Sequence, residues 1–282
     1  MNGAKWRFLN TGYSDGYTNM AVDEAILAAC LKDQAPPTVR FYGWKPPTVS
    51  IGYFQKLEKE IDVEACKEMG FGIVRRPTGG KMVLHDEELT YSVIARQGQH
   101  LFPGDILGTY LVISQALIEG LKKLGVDAQM VPRTKRDKSG PALRSAACFS
   151  APSSYEVMVR GRKLIGSAQK RHRDGVVQHG SILINLNLDR LMDVQKFRKS
   201  EHRKRMHDFL AERMTCINEW LSEKTDFNEV AEAMRTGFQE RFGDAMGPGS
   251  LSKEEQELVE RFRETKYSTE AWNYRRESEL GI

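Results

Sequence analysis

The stretch FGIVRRPTGGKMVLHDEELTYSVIA (71–95) decides how the chain is read. FGIVRR is short and apolar, which suits a strand, and RRPTGGKMVLH turns through paired glycines into a second one. ELTYSVIA alternates in the manner of a third strand. Glycines without Cβ atoms let backbone N–H groups approach a ligand closely, and Arg75 and Arg76 beside them favour an anion or a polarised carbonyl. His85 follows two residues after Val83 and shares its face of the strand, either as a hydrogen-bonded core histidine or as a site residue.

Upstream, NMAVDEAIL lies in a helix that Thr18 can cap and that runs to about Leu31, with Val22, Ala25, Ile26 and Ala29 on one face. TVRFYGW and PPTVSIGYF are β-rich runs split by a Pro-Pro turn, and IDVEACKEMG is a short helix that Gly70 can end. Downstream come a helix from about Ile106 to Leu124 and a short strand, VDAQMVP. TKRDKSGPALRSAACFSAPS (134–153) has no period, and loops of that length within compact domains tend to be functional or disordered. YEVMV, RGR and KLIGSAQ form a hairpin, VVQHGSILINL adds a strand, and the chain reads as helical beyond Leu188. The fold class is therefore α+β: a mostly antiparallel or mixed sheet packed by helices, with a helical C-terminal region.

The 282 residues are 40% hydrophobic with a net charge of +4, an ordinary globular composition. No apolar run reaches membrane-spanning length, and MNGAKWRFLN lacks the shape of a signal peptide. Four scattered cysteines suggest neither a disulfide framework nor a metal knuckle, so a reducing cytoplasm is the expected compartment. No His/Cys/Asp/Glu cluster has metal-site spacing. The charge is too small to argue for nucleic acid, and no aromatics of the stacking kind interleave the basic residues.

Cys30, Cys66 and Cys216 each fall in phase with apolar neighbours on a helix, as small buried residues do. Cys148 lies instead among Ala, Ser and Pro in the aperiodic loop; by position alone it is either a structural residue or a nucleophile. A reactive thiol needs an electropositive neighbour. Lys163, just past the hairpin glycine, alternates in phase with Ile165 and can point inward, where burial favours the neutral amine and a general-base role. A solvated turn lysine is the other reading.

RRPTGGKMVLHDEELTYSV, ACFSAPSSYEVMVRGRKLIGSAQKR and QHGSILI, in this order and preceded by NMAVDEAIL and IGYFQ, resemble the biotin/lipoate protein ligase and lipoyl transferase superfamily. Within it, the chain is most similar to the octanoyltransferases of the LipM type. The resemblance covers most of residues 1–190 and much of the tail. It implies transfer of octanoate from octanoyl-acyl carrier protein to a lysine of a lipoyl domain, such as the glycine cleavage H protein. The nucleophile would be Cys148, with Lys163 as the second catalytic residue. Substrate binding would fall to Arg76, Gly79, Gly80, His85, Gly166, His179 and Gly180. Residues 1–207 would form the catalytic domain, with the helical region 208–282 packed on it.

No ATP, metal or other cofactor is expected, because the donor carries its octanoyl-phosphopantetheine thioester. Lys81 stands where related ATP-dependent ligases usually have a third glycine. The basic run QKFRKSEHRKRMH (195–207) could steer an acidic carrier protein or be only a solvated helix face. Neither membrane nor nucleic acid is expected as a partner, and the chain is expected to be a monomer. The competing readings are an octanoyl amidotransferase between lipoyl domains, an ATP-dependent lipoate ligase and a non-catalytic docking module.

Overall fold

The computed structural model describes residues 6–98, 105–132, 155–243 and 246–277. The first half of the chain runs β1 (Arg7–Ser14), α1 (Gly16–Leu31), β2 (Thr38–Trp44), β3 (Thr48–Ile51), α2 (Leu57–Glu60), α3 (Val63–Glu68), β4 (Gly72–Arg75), β5 (Val83–His85), β6 (Glu88–Arg96) and α4 (Ile106–Lys123). The second half runs β7 (Gln129–Pro132), β8 (Tyr155–Val159), β9 (Arg162–His172), β10 (Gly175–Leu183), α5 (Leu188–Asp193), α6 (Ser200–Ala211), α7 (Phe227–Phe242), β11 (Gly247–Pro248) and α8 (Lys253–Phe262). Among the described residues, the strands form an eight-stranded sheet ordered β11-β1-β2-β6-β10-β9-β8-β7 and a three-stranded sheet ordered β4-β3-β5. The large sheet is parallel at β11-β1-β2 and antiparallel beyond. This is the α+β architecture expected, with a mixed sheet.

Period-two alternation sets the two faces of the large sheet. Val39 and Phe41 on β2, with Leu89, Tyr91 and Val93 on β6, join the core under α4 and α7. The intervening Arg40, Tyr42, Trp44, Thr90 and Ser92 point the other way, toward α1 and the small sheet. Apolar and polar residues thus separate by face, and the polar face carries the chemistry.

Two local expectations shift. The cap of α1 is Asp15, whose carboxylate accepts N–H bonds from Tyr17 and Thr18 at 2.9 and 3.0 Å; the Thr18 hydroxyl donates to the same carboxylate at 2.8 Å. Asp and Thr both suit an N-cap, and three residues separate the two choices. The tail is also not wholly helical. β11 pairs parallel with Arg7 and Phe8 at the sheet edge, a contact made by backbone and so left without a side-chain pattern.

α1 is buried on nearly every side rather than along one stripe, because α8 and the segment after it cover what the sheet leaves open. Asp23 and Glu24 are therefore buried and need cations. Arg40 meets Asp23 at 2.7 Å, and Lys266, from the π-helical turn Arg263–Tyr267, meets Glu24 at 2.6 Å. A second C-terminal turn, Ala271–Arg275, docks on β4. The Arg75 guanidinium donates to the carbonyls of Gly52, Tyr53, Gln55, Trp272 and Asn273, at 2.7–3.1 Å. Among the described residues, no helix is long and apolar enough to cross a membrane.

Candidate active site

The glycine loop between β4 and β5 is held from inside by Arg76. Its Nη2 donates to the carbonyls of Gly79 (2.9 Å) and Lys81 (2.5 Å), its Nη1 to the Ser50 carbonyl and hydroxyl (both 3.1 Å), and its Nε to Thr78 Oγ1 (3.2 Å). Gly80 has φ +94°, a backbone conformation that favours glycine. Its carbonyl rests against Gly52, where an added Cβ would lie only 2.1 Å away. The sequence suggested two arginines turned toward an anion or a polarised carbonyl. The structure turns Arg75 into the C-terminal segment and commits these Arg76 donors to the loop it shapes.

Two histidines flank this guanidinium. His85 lies with Nε2 2.8 Å from Ser50 Oγ and Nδ1 2.7 Å from Glu88 Oε1, and its ring stacks on Trp44 at 4.0 Å between centroids. Glu88 also accepts the hydroxyls of Thr90 and Ser181. His179 has Nε2 2.7 Å from Thr78 Oγ1 and Nδ1 3.7 Å from Asp23 Oδ2. Burial lowers the His179 pKa against the opposing pull of Asp23, which favours the neutral ring at pH 7. Burial alone would raise the Asp23 carboxyl, but the Arg40 charge and the His179 contact outweigh it and hold the pKa below its usual value. One buried network therefore runs from Glu88 through His85, Ser50, Arg76, Thr78 and His179 to Asp23.

A cleft of about 360 Å³ opens beside this network. Its lining includes Arg76, His85, Gly166, His179 and Gly180, residues brought together from three strands and a loop. Gly180 marks a close approach rather than a bulge: pairing is regular on both sides, and an added Cβ would meet Tyr91 Cε1 at 2.6 Å and the Gly166 carbonyl at 2.7 Å. Gly79 and Gly80 stand outside this lining, and Gly80 packs against Gly52.

Lys163 lies further back along β9. Arg160 and Gly161 both have positive φ (45° and 79°), as a two-residue hairpin turn demands, and Lys163 is the second residue of the return strand. Its side chain is buried, with Nζ 2.6 Å from Glu156 Oε1 on β8. Its backbone is held by the Arg213–Thr215 segment through N–H and carbonyl bonds of 2.6 and 3.0 Å. Cys148 and the 134–147 loop lie outside the described residues. Cys30, Cys66 and Cys216 are buried, and burial pushes each thiol up to about 11.

Sequence reasoning missed Ser50, Thr78, Glu88, Asp23, Glu156 and Gly52. The available signal was a set of polar residues within apolar strand and helix patterns. Thr78 and His179 are 101 residues apart, so no local spacing connects them.

Residues 15–239 match the family described as the lipoyl protein ligase A/B catalytic domain. The chain belongs to the lipoyl protein ligase A/B family. An octanoyltransferase LipM from Geobacillus kaustophilus is 45% identical over 273 residues, covering 96% of this chain and 98% of that protein. Octanoyltransferase LipM from Bacillus subtilis is 42% identical, with 96% and 98% covered. The fold is shared with a bipartite lipoate protein ligase from Thermoplasma acidophilum, at TM-score 0.81 and 24% identity, covering 99% of this chain and all of that one. The family match ends inside α7, so β11, α8 and the Trp272 and Asn273 carbonyls that hold Arg75 lie beyond it.

Proposed function

We propose that this family member is an octanoyltransferase of protein lipoylation, moving octanoate from octanoyl-acyl carrier protein to the lysine of a lipoyl domain such as the glycine cleavage H protein. The observation carrying this reading is the cleft, which gathers residues singled out for acyl binding in a chain 42–45% identical to octanoyltransferases.

Cys148 thiolate attacks the octanoyl thioester carbonyl, the carrier's pantetheine thiolate leaves, and an octanoyl-Cys148 thioester remains. The acceptor amine then attacks that carbonyl, the Cys148 thiolate leaves, and an amide forms. Thioester exchange is near-balanced and amide formation is downhill, so the reaction needs neither ATP nor metal. Lys163, paired with Glu156, stabilises the thiolate by its charge. The exposed Lys196, Arg198, Lys199, Lys204 and Arg205, on and beside α6, favour an acidic donor protein. The enzyme works in the cytoplasm as a monomer, with catalysis in residues 1–207 and the region 208–282 packed against them.

The test is intact-protein mass after incubation with octanoyl-acyl carrier protein, without ATP, beside Cys148→Ala. One octanoyl adduct that is labile to hydroxylamine and absent from the variant is expected. Activity only with ATP and free acid would move the chain to the ligases, and octanoyl transfer only from an octanoylated lipoyl domain would make it an amidotransferase.

A further inference from the structure

A second cleft of about 410 Å³ lies beyond the first, lined in part by Asp23, Glu24, Lys170, His172 and Val177. The two clefts have two lining residues in common, Met20 and His179. We infer that this pair is the partition that limits the length of the acyl chain the enzyme accepts. The inference rests on the functional reading above for the position of the reacting end.

β9 gives the direction. Lys163, the catalytic lysine of the proposed mechanism, lies near the start of the strand; Gly166–Ala168 line the first cleft; Lys170 and His172 line the second. At about 3.3 Å per residue, the order along the strand is an order in space. A carbonyl held at the Lys163 end therefore sends its alkyl tail toward Ala168 and its cross-strand partner, His179.

The wall at that point is fixed on one side and close-fitting on the other. Both ring nitrogens of His179 face partners, Thr78 and Asp23, and Asp23 is held in turn by Arg40, Tyr42 and Ser92. Met20, fully buried on α1, supplies an apolar surface that adapts to a methyl terminus. The space behind has apolar wall from Leu27, Pro77 and Val177, but it also brings Asp23, Glu24 and Lys170 to its surface. Among the described residues, Lys170 makes no side-chain hydrogen bond or ion pair and His172 Nε2 is buried without a partner. A longer tail would strip water from the Lys170 ammonium without replacing its hydrogen bonds, and would offer the His172 nitrogen no partner.

The experiment measures a chain-length ladder in two ways. Donors carrying octanoyl, decanoyl and dodecanoyl groups on acyl carrier protein give kcat/KM, and the free acids octanoate, decanoate and dodecanoate give Kd by calorimetry. Hydrophobic pockets discriminate by roughly 10- to 200-fold per misfit methylene, so the wild type should fall steeply beyond eight carbons. Met20→Ala should raise the dodecanoyl-to-octanoyl ratio at least tenfold in both ladders. Met20→Val, a smaller truncation, should shift them part-way and stands in if the alanine variant does not fold. A folded variant with the wild-type ladder overturns the partition, as does a wild type that binds all three acids equally. A binding ladder that moves with Met20 while no octanoyl is transferred upholds the partition and overturns the functional reading instead.

Discussion

Lys163 Nζ sits 2.6 Å from Glu156 Oε1, with the two side chains only 4% and 13% exposed. Sequence alternation could turn the lysine inward but did not supply this carboxylate. The register of the β8–β9 hairpin shifts between Val157 and Met158, next to Glu156, so its local geometry departs from simple alternation. The pair changes the chemistry expected of the site, because a buried ammonium with a counter-ion stabilises a nearby thiolate by charge rather than acting as a neutral base.

Glu156→Gln should therefore cost more than a surface substitution. Removing one partner of a buried pair leaves the other charge less well compensated, at a cost of up to roughly 3 kcal/mol, read as a lower urea midpoint. Combining it with Lys163→Met should recover much of that stability and leave the enzyme inactive. A Glu156→Gln protein as stable as wild type would show that Glu156 is not what stabilises the buried ammonium.

Gly52 and Gly79 make opposite predictions. A Cβ at Gly52 would lie 2.1 Å from the Gly80 carbonyl and 2.9 Å from its carbon, both backbone atoms, so Gly52→Ala must displace the glycine loop. Stability should fall by about 2 kcal/mol, with a larger loss of transfer activity. A Cβ at Gly79 meets nothing within 4 Å, and its φ is not positive, so Gly79→Ala should fold with an unchanged melting temperature. If acyl donor or acceptor passes close over this turn, KM rises in that variant. An unchanged KM would remove Gly79 from the binding site.

Three cysteines are withdrawn from reaction by burial, with thiol pKa values pushed up to about 11. Native protein treated with iodoacetamide at pH 7.5 should then take up label at Cys148 before any other cysteine, because the thiolate is the reacting species. Peptide mapping of Cys148→Ala should find almost none. Rapid labelling of Cys30, Cys66 or Cys216 in folded protein would contradict the burial on which this rests.

How much of this was legible depended on distance along the chain. The strands TVRFYGW and ELTYSVIA were readable because alternation is local, and Gly161 announced its hairpin for the same reason. Arg76 and His179 could be named, but not their connection. Thr78 bonds to His179 across 101 residues, and Ser50 bonds to His85 across 35. Hydroxyls on strands look like ordinary half-buried positions until a fold places a histidine opposite them. β3 was found as a strand, yet its place between β4 and β5 was not, since the glycine loop suggested that those two were neighbours.

His179 makes stability depend on pH in a defined direction. Its folded pKa lies below 6.5, chiefly through burial, whereas the unfolded chain titrates near 6.5. Below that pH the unfolded state takes up a proton that the folded state refuses. Stability therefore falls as pH drops from about 6.5 and levels off once the folded pKa is passed. Asp23 acts lower down: its depressed pKa contributes stability above the usual carboxylate value of about 4, which is lost as pH falls through the folded value. His172 is also lowered, chiefly by desolvation, with Lys170 and Arg173 adding to it, and it acts in the same window as His179. Urea unfolding at steps from pH 7.5 to 5.5 should show declining stability in wild type and a shallower decline in His179→Asn. The His172 contribution should remain in that variant. Equal slopes in the two proteins would mean that His179 is protonated as readily in the fold as in water, and that Asp23, not burial, governs its charge.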